Sequence, residues 1–248
     1  MTKALRESLL VLLSLLATGL AARAEIPSTL LADGLTVFVR SDSALGPDGQ
    51  VDTSLFSEAD ASAIRLYMIL PEEKGCVRLR GLIRFYPNLG PLGSLKEAAD
   101  AARFVVHGTV VAQAPGFSAS EAGTLVELQA DEVLKGARRG PSRYFAFFPV
   151  GTFTMGDRNY CAFNPDWPRL PETGDRLLLF IRRELPNSDY LPLLDGTDVI
   201  VLGKGAAELP PRYTAERSHK GLGPEAVLER VRAYVESEKG AALLEQSI

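Results

Sequence analysis

Two histidines, one pair of cysteines and a few neighbouring carboxylates are the residues of this chain whose types could do chemistry. His107 stands among valines and His219 in a polar stretch, and nothing in the spacing makes either a metal ligand. A hydrogen-bonded structural role suits His107 better. Asp131 and Glu132 are adjacent in a strand-like run, which turns their side chains to opposite faces and forbids a close acid/base pair. Asp195 and Asp198 flank a turn, where aspartate is expected for local hydrogen bonding. There is no H-E-x-x-H and no G-x-S-x-G, and Gly203-Lys204-Gly205 is too short to cradle a phosphate. No catalytic residue, cofactor site or metal ligand is therefore assigned. Cys76 and Cys161 lack the close partners of a zinc site, and an even count in an oxidising compartment argues for a disulfide. The alternative is two separate buried thiols.

Recognition chemistry has a stronger signal than catalysis. Tyr144 to Trp167 holds eight of the chain's nineteen aromatic residues. Alternation puts Phe145 and Phe147 on one strand face, with Tyr144, Ala146 and Phe148 on the other. Most of these rings are expected to be core. The sharper possibility is a contact face on a loop carrying Phe153, Tyr160, Phe163 and Trp167, since Tyr and Trp are enriched at binding hot spots.

The start of the chain bounds where this chemistry would operate. Lys3 and Arg6 precede the apolar run Leu9 to Leu20, and Ala22-Arg23-Ala24 presents small residues to a signal peptidase. The run is shorter than the roughly 20 apolar residues that span a bilayer. It predicts a cleavable signal peptide over 1–24, cut between Ala24 and Glu25. The product would be periplasmic or secreted and not anchored to the membrane. Without those residues the balance is 24 basic to 30 acidic side chains, net −6. An acidic chain with no basic cluster is a poor nucleic-acid binder. Arg138, Arg139 and Arg143 form the densest basic stretch and read as a solvated turn.

The elements that must position these residues are mostly short strands. Leu35–Val39, Ser62–Leu70, Cys76–Tyr86, Arg103–Ala114, Thr124–Leu134, Arg143–Val150 and Arg176–Leu185 alternate or are β-branched. Pro71 to Gly75 would turn the second strand into the third, in which Arg78, Arg80 and Arg84 share a wet face. Gly108 marks a bulge. Tyr190–Leu194 and Asp198–Leu202 suggest a hairpin through Asp195-Gly196. Ser94 with Glu97 caps a short internal helix that ends near Ala102. After Gly223-Pro224, Val227, Leu228, Val231 and Val235 fall on one face of a C-terminal amphipathic helix.

Three segments carry a family resemblance: the run from Ser94 to Val111, the run Thr124 to Gly136 ending Glu-Val-Leu-Lys-Gly, and Pro171 to Arg183 with its Gly-Asp-Arg-Leu-Leu-Leu-Phe. Over about residues 94–205 the chain resembles bacterial exported domains related to netrin and tissue-inhibitor-of-metalloproteinase modules. The resemblance implies a mainly β fold, a small OB-like β-barrel with helices packed on it. Residues 25–93 would add strands and loops to that barrel, and 206–248 a linker and the terminal helix. In the animal inhibitors a cysteine at the mature N-terminus binds the protease zinc, whereas this chain would begin at Glu25. The expectation is an exported, non-enzymatic binding or interaction module for an unknown protein or small ligand, without a cofactor. The competing class is a small extracytoplasmic hydrolase using carboxylates, with or without a metal, which would need several acids converging on His107 or His219.

Overall fold

The computed structural model describes residues 26–32, 34–80, 92–136, 142–165, 167, 169–183, 185, 188–203, 205–210, 212–213 and 222–245. The signal segment with its Ala24–Glu25 junction, Arg84, Arg138, Arg139, Lys204 and His219 lie outside them. The fold is mainly β, and the described residues form twelve strands, in a nine-stranded and a three-stranded sheet, and three α-helices.

The large sheet is built on one long hairpin, β4 (Phe104–Ser118) and β5 (Glu121–Lys135). These strands run past the ends expected of them, Ala114 and Thr124, and turn only at Ala119-Ser120. Their register shifts at three places, one of them at His107/Gly108, where the sequence suggests a bulge. Bulges bend a ribbon this long so that one face can curl around a core. β6 (Arg143–Phe148) pairs with β5, and β9 (Arg176–Ile181) pairs with the first half of β4. β2 (Leu35–Arg40), itself paired with β1 (Thr29–Ala32), meets the far end of β4. That end is closely approached from both sides. Gly116 and Gly123 stand opposite each other, and a Cβ on either would collide with Val39 or Phe148 backbone oxygen.

β11 (Val199–Leu202) adds to β9 and β12 (Ala207–Glu208) to β11, while β10 (Tyr190–Leu191) runs parallel to β6. The expected hairpin of β10 with β11 is therefore replaced by two strands on opposite sides of the β4–β5 hairpin. Asp195 explains the change: it caps a single 3-10 turn, Gly196–Asp198, instead of reversing the chain. The hydrogen bonding does not close, since the path ends at β10 and β12. Even so, the inward residues of six strands, among them Val106, Leu128, Ala146, Leu179, Leu191 and Val201, share one core. Tyr144, Ala146 and Phe148 face it and Phe147 faces away, as the alternation requires.

Helices cover the other face. α2 (Leu95–Ala101) starts where Ser94 Oγ accepts from Glu97 N at 3.1 Å, and Glu97 Oε2 reaches back to Gly93 N. α3 (Pro224–Glu245) buries Val227, Leu228, Val231 and Val235 against Leu178, Phe180 and Ile200. Each such side chain contributes roughly 1.5–3 kcal/mol on burial.

The segment Ser62–Leu70 is helical, not a strand. It lies in α1 (Glu58–Ile69), whose cap Ser57 accepts from Asp60 N and which buries Ala61 and Ile64, one turn apart. Helix formers at Ala59, Ala61, Ala63, Leu66 and Met68, together with that cap, outweigh the apparent alternation.

Candidate functional site

The three-stranded sheet is two-faced because its strands alternate cleanly. β3 (Val77–Arg80), β7 (Gly151–Met155) and β8 (Arg158–Phe163) pair in the order β3-β8-β7. The segment expected to be a loop is thus mostly a hairpin, turned at Gly156-Asp157 by a glycine with φ +63°. β3 joins it in parallel instead of pairing with its own neighbour across Pro71–Gly75. Val77, Leu79, Phe153, Met155, Tyr160 and Ala162 turn inward onto α1 and the tip of the long hairpin. There Phe153 stacks on Tyr160 with ring centres 5.4 Å apart, and Phe117 meets Phe153 edge-on at 5.4 Å.

The opposite face is open. Arg78 and Arg80 are exposed on β3, and Phe163 on β8 keeps 54% of its surface in solvent. The parallel register sets Arg80 beside Phe163 and Arg78 beside Cys161. Neither arginine has an acid or hydrogen-bond partner among the described residues. Cys76, just before β3, is disulfide-bonded to Cys161 of β8 across a sequence separation of 85. The bridge fastens the arginine strand to the aromatic strand.

The four aromatics singled out in the sequence do not form one face. Phe153 and Tyr160 are core, and Trp167 is half-buried edge-on to Phe148 with ring centres 5.6 Å apart. Phe163 is the one that reaches solvent, and its neighbours there are arginines.

A second polar cluster lies beneath α3, around His107. Arg176 Nε donates to His107 Nε2 at 3.1 Å, and Arg176 Nη1 holds Glu225 of α3 at 2.7 Å. Arg232 of α3 grips Glu132 with two nitrogens, at 2.6 and 3.2 Å. Asp131 accepts from Thr109 at 2.9 Å and lies 3.8 Å from His107. The bulge opposite His107/Gly108 thus brings Asp131 and Glu132 to the same side of the sheet, contrary to the strict alternation expected of them. Burial, then the Arg176 charge, holds His107 below its ordinary pKa. With Nε2 accepting from Arg176 the ring is neutral and occupied. Hydrogen bonding to Arg232 lowers Glu132, and Arg176 lowers Glu225. The cluster docks α3 by charge, with Glu132 and Glu225 each held by an arginine.

A third network is buried between β9 and β11. Arg182 donates to Asp198 at 2.7 Å and to Asp195 at 2.8 Å, and Asp198 also accepts from Leu194 N at 2.6 Å. Burial pushes the Asp198 carboxyl up to about 6 against the pull of Arg182. The two aspartates do cap a local turn, but Arg182 makes them a clamp. Arg143 similarly pairs with Glu127, buried on β5, at 3.1 Å. Among the described residues no group of three His, Cys, Asp or Glu side chains is arranged to hold a metal ion.

Neither a family model nor a curated protein matches this chain. Its site must be judged on its own residues. The alternating arginines of β3 signal the wet face in the sequence. The sequence does not say which ring of the aromatic segment joins them, because that depends on the parallel pairing of strands more than eighty residues apart.

Proposed function

We propose that the chain is an exported, non-enzymatic binding module that holds its partner on the outer face of the small sheet. The observation that carries this reading is the exposed set of Phe163, Arg78 and Arg80, pinned by a disulfide and backed by a packed aromatic layer. An exposed aromatic beside uncompensated arginines combines two residue types enriched at binding hot spots. Rigid backing keeps the ordering cost of association low.

The scaffold is an OB-like barrel related to the netrin and metalloproteinase-inhibitor modules. Support comes from the strand order β6-β5-β4-β9-β11, the parallel contact of β10 with β6, and the core shared by those strands. Residues 192–198 carry the chain from β10, at one end of that order, to β11, next to the other end. Export is supported by the three-part N-terminal segment and by the disulfide, since such bridges persist in oxidising compartments. No helix among the described residues is long and apolar enough to cross a membrane.

A photo-crosslinking residue placed at Phe163, with a second protein carrying it at exposed Lys96 on α2, tests the reading in the exporting cell. A discrete adduct is expected from position 163, absent from position 96 and abolished by Arg78→Glu with Arg80→Glu. An adduct indifferent to that charge reversal, or none at all, would sink the proposal.

A further inference from the structure

β3 is an edge. It pairs with β8 on one side, and on the other no strand meets it among the described residues. An open edge offers a row of backbone N–H and C=O groups to an incoming strand. Its outward side chains are Arg78 and Arg80, while Val77 and Leu79 face the core. Two residues of extended chain cover roughly 6.6 Å, so the two guanidinium groups repeat at the spacing of alternate side chains in any neighbouring strand. A strand added to this edge would place its own alternate residues opposite them, with Cβ atoms about 4.5–5.5 Å apart. Residues 81–91, which follow β3, contain no Asp or Glu, and neither Glu72 nor Glu73 before it pairs with either arginine.

We infer that β3 takes up an extended acidic segment of a partner protein as a fourth strand, in which carboxylates alternate with apolar residues. The carboxylates meet Arg78 and Arg80, the apolar residues continue the inner face lined by Val77 and Leu79, and Phe163 flanks Arg80 one strand further in. The inference rests on the binding-module reading and names its partner's chemistry. Backbone pairing supplies the affinity and the two arginines choose the charge pattern.

Fluorescence anisotropy of a labelled ten-residue peptide alternating Glu with Val or Thr tests it on the purified, oxidised protein. Two further peptides replace each Glu by Lys, or a central pair of adjacent residues by Pro-Pro, which withholds an N–H from the ladder whichever way the strand faces. The acidic peptide is expected to bind, with the lysine and proline peptides at least about tenfold weaker, as befits two charge pairs on a hydrogen-bonded edge. Arg78→Glu with Arg80→Glu should invert the charge preference, and circular dichroism would show that it still folds. Equal binding of the acidic and lysine peptides overturns the inference, as does equal binding of the proline peptide or displacement by an oligothymidylate at matched charge. If no peptide binds while the crosslink at position 163 persists, this inference fails and the binding module stands. Loss of both removes the two together.

Discussion

The two sheets of this molecule treat their faces in opposite ways. In the large sheet one face closes on a core shared by six strands and the other lies under α2 and α3. Its charged groups are spoken for: Arg182 by two aspartates, Arg232 by Glu132, Arg176 by Glu225 and His107. The small sheet buries only its inner face and leaves arginines and a phenylalanine bare on the other. The large sheet has spent its side chains on stability. What the small sheet leaves exposed is the set on which the proposed binding rests.

The sharpest way to break this contrast is to truncate inward and outward rings of the same strand pair. Phe153→Ala, from the stacked inner layer, should cost about 3–5 kcal/mol in thermal or urea unfolding. Arg182→Met should cost a similar amount, about 3–5 kcal/mol, because it strands two carboxylates, one fully buried. Arg176→Met, in the part-exposed cluster, should cost only about 1 kcal/mol or less.

Replacing both Cys76 and Cys161 by serine should lower stability by about 2–5 kcal/mol. Amide exchange would then rise in β3 and β8 before it rises in β4 and β5. A uniform rise would mean that the sheets are one cooperative unit.

A gentler probe is pH. Because the folded state holds His107 below its unfolded value of 6.5, the native protein binds fewer protons than the unfolded chain as pH falls through that range. Stability therefore rises with pH across it and falls on acidification. Asp198 works in the opposite sense between 3.8 and about 6, since burial raises it. The readout is accordingly the stability of the wild type minus that of His107→Gln, followed from pH 8 to 5. That difference should shift against the wild type at the acid end, and a flat difference would contradict the geometry around His107. Smallest of all, Phe163→Ser should move stability by no more than about 0.5 kcal/mol. A larger loss would mean that the ring is structural after all.

Much of the large sheet was legible in the sequence because its signals are local. The alternation of Tyr144 to Phe148, the periodic valines of α3, the Ser94 cap and the Gly108 bulge each depend on residues within a turn or two. One failure was local: Ser62 to Leu70 alternates well enough to pass for a strand, but the Ser57 cap and the alanines after it outweigh that pattern. The others were non-local. Tyr190 and Val199 look like hairpin partners, yet they join β6 and β9. The cysteine pairing was accessible by counting, whereas Phe163 could not be told from Phe153 until β8 had a neighbour on each side. Asp131 and Glu132 were misplaced for a subtler reason, since a single bulge reverses the face of every residue beyond it.

The parallel contact of β3 with β8 also sets an order of events. Val77 must find Tyr160, and everything from α2 to β7 lies between them in the chain. Closing so wide a loop is slow compared with forming the β4–β5 hairpin, whose partners meet at a tight turn. On a chain made from its N-terminus, β3 waits while β4, β5 and β6 are made and paired, and the Cys76 thiol stays available to any oxidant until β8 arrives. The moment at which that thiol disappears is thus a clock for the birth of the outer face, readable by quenched alkylation. Until it strikes, the protein has its long hairpin but not yet the outer face of its small sheet.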